Sequence, residues 1–401
     1  MTVIQLARSR LAVRARGRRR ARAQVSGPPM NSAAWLVLGI TGVLLAFGLV
    51  MILSSSSVSA YTQYGSSFFF VKRQVAWAAI GVVALLMIAR TDYRRWRAPS
   101  WIMLAVALVG LVAVLIPGVG IKVSGSSRWL GFGPLRIQPS EFAKLALLLV
   151  AADVVARKQG RLGTFADVLK PLGVIAILAA ALILRQPDLG TTLVMSLIVF
   201  VIMFVGSVPM RLMGGMGIAG IAGAIGLAMT AGYRKERLLG FLDPFADKLG
   251  TGYQAVQSLI AIGSGGFFGV GLGQSRQKWQ YVPNAHTDFI YAIVGEELGL
   301  MGTLPILALF VALAYVGVRV ARRAPDTFGR LVAAGVTAWI VGQAIINMGA
   351  VTGLLPITGV PLPLVSHGGS ALLFTLAAIG MLVSVARHER WPREASRSTG
   401  P

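Results

Sequence analysis

The sequence predicts an all-α polytopic membrane protein: ten transmembrane helices, with a large extracytoplasmic loop between the seventh and the eighth. Three observations carry this expectation. The 401 residues are 55% apolar and include 48 Gly, against only 14 acids. Their apolar residues gather into ten runs, most of them near the ~20 residues needed to cross the hydrocarbon of a bilayer. The 38 bases fall mainly in alternate connections between those runs, the pattern left when Lys and Arg stay on the cytoplasmic side.

The predicted spans are 33–53, 74–89, 101–116, 141–156, 171–185, 189–206, 211–231, 289–317, 330–351 and 369–386. Residues 1–32 form a basic arm expected to be disordered, 33–386 the membrane domain with its large loop at 232–288, and 387–401 a tail. Eight Arg lie in the first 22 residues. Beside a membrane span such an arm reads as an orientation signal or a contact for anionic lipid head groups, not as a nucleic-acid site. The first run carries Val58, Ser59 and Ala60, which resemble a cleavage site, but its apolar core is longer than the ~7–15 residues of a signal peptide. It is read as a retained span. With the amino terminus inside, the cytoplasmic side collects 25 bases and the outer loops 12, Lys144 lying within a span. Both termini are therefore expected in the cytoplasm of a multi-pass plasma-membrane protein.

Three outer segments are long enough to matter. Residues 117–140 are punctuated by Gly and Pro and carry Trp129, an aromatic suited to an interface. The segment 232–288 shows helical spacing without a full span, as expected of helices lying on or dipping into the outer leaflet. From Thr352 to Ser370 three Pro and four Gly interrupt any helix. Non-helical backbone at membrane depth is tolerated where protein or water satisfies it, so this piece is expected to re-enter and line a cavity. The glycines from Gly214 to Gly226 in the seventh span read as close helix packing through small residues.

With no Cys, disulfides and thiolate chemistry are excluded, and the three His (His286, His367, His388) show no ligand spacing for zinc. There is no Walker loop, dinucleotide fingerprint, serine elbow or HExxH. The acids can be taken singly. Glu141 and Lys144, three apart at the start of a helix, share a face and read equally as a structural ion pair and as functional groups. Asp188 suits a helix cap, and Asp243 before Pro244 suits a turn. Asp288 stands where the polar KWQYVPNAHT becomes an apolar helix; it reads as a cap or as a general base if its cavity excludes water. Glu296 and Glu297 follow two turns deeper. Outward bases, among them Arg128, Arg136, Arg234, Lys235, Arg237, Arg276 and Lys278, are available to an anionic head group.

The segments SSRWLGFGPLRIQPSEFAK, RQPDLGTTL, FLDPFADKLGTGYQAVQSLIAIGSGGFFGVGLG, KWQYVPNAHTDFIYAIVGEELG and PLPLVSHGGS, in this order and spacing, resemble those of the SEDS family of shape, elongation, division and sporulation proteins. The resemblance runs from the first span to the tenth. QKWQYVPNAHTDFIYAIVGEELG is more similar to the division branch of the family than to its elongation branch, and the Arg-rich composition resembles actinobacterial versions. The resemblance implies a peptidoglycan glycosyltransferase that polymerises lipid II at the outer face of the membrane. It implies Asp288 as the base that deprotonates the acceptor hydroxyl while undecaprenyl diphosphate departs. It also implies that Trp129, Gln138, Glu141, Lys144, Gln186 and Asp188 shape the cavity or hold the diphosphate. Arg136, Arg237, Lys278, His286, Thr287 and Ser366 complete the expected substrate contacts.

Gln280 stands where many relatives have Glu, and His367 where many have Tyr. A divalent cation, Mg or Mn, is expected to screen the diphosphate, with no ligand set visible in the sequence. A class B penicillin-binding transpeptidase, other division-complex membrane proteins and membrane lipids are the implied partners. A lipid II flippase and a non-catalytic division scaffold compete with this reading. A flippase needs polar groups along a whole path. Here the functional acids gather on the outer half, with Asp153 the chief exception near the cytoplasmic end of the fourth span, which favours polymerisation.

Overall fold

A computed structural model describes residues 30–123, 126–132, 135–158, 172–230, 240–279 and 281–389. The basic arm up to residue 29, the tail from 390, and Arg237 and Gln280 lie outside the described residues.

Helix α1, Ser32–Tyr64, opens on Asn31, whose side chain accepts from the Ala34 N–H at 2.8 Å, and closes on Gly65 at φ 69°. Both are standard solutions for helix ends, a side-chain acceptor for orphan N–H groups and a left-handed glycine stop. Helix α2 (Phe69–Arg90), a short 3-10 turn (Tyr93–Arg97) and α3 (Ser100–Ala113) follow. The segment read from sequence as a punctuated loop contains a three-stranded antiparallel sheet, β1 (Gly120–Val123), β2 (Ser126–Phe132) and β3 (Leu135–Ile137). The all-α expectation is corrected to that extent. Alternating side chains such as Ile121, Trp129 and Ile137 supply the strand pattern beneath the turn glycines.

Then come α4 (Pro139–Arg157), α5 (Val174–Leu184), α6 (Leu189–Val205) and α7 (Met210–Thr230). The predicted large loop holds α8 (Tyr253–Gly265), and α9 (Ile290–Arg323), α10 (Thr327–Val351) and α11 (Gly369–Arg387) complete the chain. Every predicted run overlaps a helix, and α1, α2, α9, α10 and α11 are long and apolar enough to cross a membrane. Helices α4, α10 and α11 form the interior, while α1, α2 and α9 turn apolar faces outward.

Two local expectations are overturned. A Cβ built at Gly214, Gly215, Gly217, Gly220, Gly223 or Gly226 meets nothing within 4 Å, so the glycines of α7 do not serve close packing within the described chain. The run 289–317, read as one continuous span, is interrupted: Gly299 sits at φ 63°, ψ −152° inside α9. The backbone groups freed there are met by residues 266–271. Leu300 and Met301 donate N–H to the carbonyls of Gly266 and Phe267, and Val270 and Gly271 donate to those of Glu296 and Glu297, at 2.9–3.2 Å. A broken helix in lipid requires such partners, because no water is present to take their place.

At the end of the helices remote from Asp288, charged groups tie connections together. Asp326 accepts from Tyr93 Oη and Arg94, and Asp153 is bound by Arg97 and Arg157.

Candidate active site

Asp288 is half-buried in the turn that leads into α9. The helix-capping position falls on Phe289, which makes no side-chain cap. Asn284, at φ 56°, turns the chain, and Thr287 donates both its N–H and its hydroxyl to the Asn284 carbonyl, at 3.0 and 3.1 Å. The Asp288 carbonyl accepts from Asn347 Nδ2 at 2.7 Å. Its carboxylate lies beside Gly359 at φ 72°, where a Cβ would stand 3.5 Å from Asp288 Oδ2. A glycine there brings the Pro-rich segment over the carboxylate without a side chain intervening.

That segment is the hub of the site. Its backbone is non-helical and buried from Leu362 to Ser366, and its polar groups are met by side chains from the surrounding helices. Asn347 and Gln343 of α10, one turn apart, donate to the carbonyls of Val360 at 2.7 Å and Pro361 at 2.9 Å. Ser366 Oγ accepts from the Leu362 N–H at 2.8 Å and donates to the Thr287 carbonyl at 2.6 Å. His367 N–H donates to the His286 carbonyl at 2.9 Å. Gln74 of α2 donates to the Ser366 carbonyl and accepts from the Gly368 N–H, at 3.3 and 3.2 Å. Protein side chains thus satisfy the irregular backbone, as its burial requires.

The rings of His286 and His367 are 5.7 Å apart, and Phe70 packs on both. Burial pushes His286 down to about 4 and, together with the neighbouring His286 and Arg73, pushes His367 down to about 3. Both imidazoles are neutral at physiological pH. His367 Nδ1 is buried and has no hydrogen-bond partner among the described residues.

A second cluster surrounds the start of α4. Glu141 Oε1 meets Lys144 Nζ at 2.9 Å, with both side chains almost fully buried. Lys144 also donates to Gln343 Oε1 at 2.9 Å and lies 4.8 Å over the Trp339 ring. The ion pair is thus joined through Gln343 to the Pro-rich hub. Asp188 caps α6, accepting from the Thr191 N–H and hydroxyl at 3.1 and 2.8 Å, as its position before the helix suggested. Gln138 Nε2 reaches the same carboxylate at 3.4 Å, and the Gln138 N–H donates to Ser370 Oγ. Gln186 donates to the Leu111 carbonyl.

Arg128, on β2, stands 3.9 Å from Asp188 and donates to the carbonyls of Gln186 and Pro187. It holds the turn that presents both residues. Trp129 is half-buried beside it and Arg136 is exposed on β3.

Lys278 stands apart from these clusters. Its ammonium lies 3.5 Å from Glu297 Oε1 and donates to the Gly273 carbonyl at 2.5 Å. Glu297 also accepts from Ser54 Oγ of α1, and Glu296 accepts from the Arg276 N–H at 2.8 Å and from Ser275 Oγ. These two carboxylates anchor the 273–278 loop.

Gln343, Asn347 and Gln74 were not among the residues expected at the site, and Arg128, expected as a base open to an anionic head group, is turned onto Asp188 and the carbonyls of Gln186 and Pro187. The two amides of α10 carry one sequence signal, polar residues four apart inside an apolar run, which marks a polar helix face. Among the described residues no three His, Asp or Glu side chains gather to hold a metal ion.

Membrane-length apolar helices, a buried irregular segment and a carboxylate beneath it define the class as a polytopic membrane protein with a polar site at one end of its bundle. Residues 34–391 match the family model for FtsW, RodA and SpoVE, described as cell cycle proteins. The chain belongs to that family, which is the SEDS family indicated by its motifs. It is 45% identical over 356 residues to the stage V sporulation protein E of Bacillus subtilis, covering 89% of this chain and 97% of that one. It is 42% identical over 363 residues to the probable peptidoglycan glycosyltransferase FtsW of Mycobacterium tuberculosis, covering 90% and 69%. Among solved structures, a chain from a peptidoglycan synthase complex that coordinates polymerization and crosslinking aligns with a TM-score of 0.73 at 31% identity, covering 90% and 98%. Thermus thermophilus RodA aligns at 0.66 and 27%, with the same coverage.

Proposed function

We propose that the chain is a peptidoglycan glycosyltransferase of the division type, which polymerises lipid II into glycan strands. Asp288 takes the proton of the acceptor 4-hydroxyl. The oxygen so activated attacks the anomeric carbon of the donor, and the bond to undecaprenyl diphosphate breaks with its electron pair leaving on the diphosphate. The single observation that carries this reading is the setting of Asp288. It is a half-buried carboxylate under a glycine of the Pro-rich segment, with its backbone held by Asn347. A base so fixed contributes about 10²–10⁴ in rate.

The remaining groups have roles in the same scheme. Lys144, with Arg128 and Arg136, supplies positive charge toward the diphosphate. Glu141, Gln138, Gln186 and Asp188 fix those cations and the walls. Trp129, His286, Thr287 and Ser366 bound the sugar site, and Arg237 and Lys278 belong to the flanking loop. The chain crosses the membrane ten times with both termini in the cytoplasm and Asp288 facing outward, and it acts beside a class B penicillin-binding transpeptidase. The name of the mycobacterial relative and the synthase complex support the activity and this partner. Against transport, Asp153 and Asp326, acids remote from the site, are engaged by Arg97 and Arg157 and by Arg94, and offer no free step along a path.

The test is lipid II polymerisation by the chain purified with its transpeptidase, comparing wild type with Asp288→Asn at equal folded yield. Polymer lost by 10²-fold or more in the variant supports Asp288 as base. Unchanged polymer removes that role, and no polymer from either protein returns the flippase and scaffold readings.

A further inference from the structure

Glu296 and Glu297 have no part in the scheme above, yet they stand side by side in an apolar helix, 2% and 0% exposed. Buried carboxylates persist in such a place only where donors meet them. One short loop supplies nearly all of these. Glu296 accepts from the Arg276 N–H at 2.8 Å, from the Gln277 N–H at 3.4 Å and from Ser275 Oγ. Glu297 accepts from the Ser275 N–H at 3.4 Å, from Ser54 Oγ of α1 and from Lys278 Nζ at 3.5 Å. Ser275 is buried between the two carboxylates, and its hydroxyl also accepts the Lys278 N–H at 3.2 Å. The backbone of the pair is held as well, its carbonyls taking the N–H groups of Val270 and Gly271 at 2.9 and 3.0 Å. Lys278 is buried and committed to Glu297 and the Gly273 carbonyl, so its charge is spent inside the protein.

The stretch that carries the base is fastened here at both ends. Lys278 precedes Asp288 by ten residues. Between them the Gln277 carbonyl accepts the Val282 N–H at 3.0 Å, and Val282 and Ala285 are buried, which anchors the path into the Asn284 turn. On the other side Glu296 stands eight residues beyond Asp288, about 12 Å along a helix axis. The break at Gly299 ends this part of α9, so its far end is secured by the loop and not by further helix. Helix α8 presses on the same part, where a Cβ at Gly265 would lie 1.9 Å from the Gly295 carbonyl. A short packed segment passes a displacement at one end to the other, and a misplacement of about 1 Å at a reacting group costs about 10²-fold in rate.

We propose that Ser275, Lys278, Glu296 and Glu297 are positioning residues for glycosyl transfer: they clasp the two ends of the segment 278–296 and so fix where the Asp288 carboxylate stands. This rests on the polymerase reading of Asp288 and adds to it the device that aims the base. The clasp works through the reach of its side chains and transfers no proton. Glu296→Asp keeps the charge but withdraws the carboxylate by one methylene. Glu296→Gln keeps the reach and an acceptor for the Arg276 N–H, and the rotatable Ser275 hydroxyl can accept from the new amide.

The test uses the chain purified with its transpeptidase, at a temperature where every variant is folded. It reads kcat and KM for lipid II polymerisation together with hydrogen exchange of residues 281–289. Glu296→Asp is expected to lower kcat at least tenfold with KM within about twofold of wild type, and to speed exchange at 281–289 at least fivefold. Glu296→Gln is expected to stay within about threefold of wild type in both. Should Glu296→Asp not fold, Ser275→Ala, which deletes the hydroxyl between the carboxylates and keeps both of them, is read in its place, with kcat down about threefold and faster exchange. Glu296→Gln slowed as much as Glu296→Asp or more, a change in KM alone, or wild-type kcat per folded protein in Glu296→Asp overturns the clasp, and so does unchanged exchange at 281–289. Exchange needs no turnover. Absence of polymer from every protein therefore sinks the polymerase reading, while exchange still decides the clasp.

Discussion

Replacing Asn347 by Leu removes one amide that serves two carbonyls, those of Asp288 and Val360, each at 2.7 Å. Leu has nearly the same volume, so the change is one of polarity at a site only 2% exposed. A buried carbonyl deprived of its donor costs about 1–3 kcal/mol, and two cost about 2–6 kcal/mol. The Asp288 turn stays tethered by Ser366 on Thr287 and by His367 on His286, so part of the loss appears as displacement of the carboxylate and not as unfolding. If about 1.4 kcal/mol of it falls on the transition state, polymerisation slows about tenfold. The assay is glycan polymer formed per folded protein, with thermal unfolding followed in the same detergent. Asn347→Leu with both the wild-type rate and the wild-type melting temperature refutes the claim that this amide couples the base to the Pro-rich segment.

Three further outcomes are expected. Lys144→Met strands Glu141 in an apolar interior and destabilises the fold by about 3–5 kcal/mol, and adding Glu141→Gln recovers most of the loss in a melting experiment. Gly299→Ala forces a side chain into a backbone region that costs about 1–3 kcal/mol and against the Gly269 nitrogen; limited proteolysis should then cut between 266 and 279, where the wild type resists. His286 and His367, with pKa values lowered by burial to about 4 and about 3 from 6.5, contribute stability that is complete above pH ~6.5 and is lost as pH falls toward those values. Each unit in that window costs about 1.4 kcal/mol per imidazole, so melting temperature should decline from pH 6.5 to 5, and less steeply in His367→Phe.

Much of this architecture is legible in the chain because lipid imposes a simple rule: apolar runs become helices, and the bases between them report sidedness. The Glu141–Lys144 pair and the Asp188 cap follow from local spacing alone, and the three Pro before Ser370 announce irregular backbone. Other features depend on partners far along the chain. Nothing near Gly299 signals a break, since its freed groups are answered by residues 266–271 from another loop. Lys278 reads as an outward base until Glu297 is found beside it. The sheet at 120–137 is masked by its turn glycines, and the amides Gln343 and Asn347 acquire meaning only when the Pro-rich carbonyls arrive.

The hold of Gln74 on residues 366–368 also sets an order in time. These partners are 292 residues apart, and a ribosome adding about 5–20 residues per second delivers the second about 15–60 s after the first. For that interval α2 waits in the membrane with its amide unanswered by the Ser366 carbonyl. The Asp288 turn likewise waits for the hydroxyl of Ser366. The site therefore closes only once residues 366–368 have been made, and a nascent chain released before that point would carry the base without the frame that holds it.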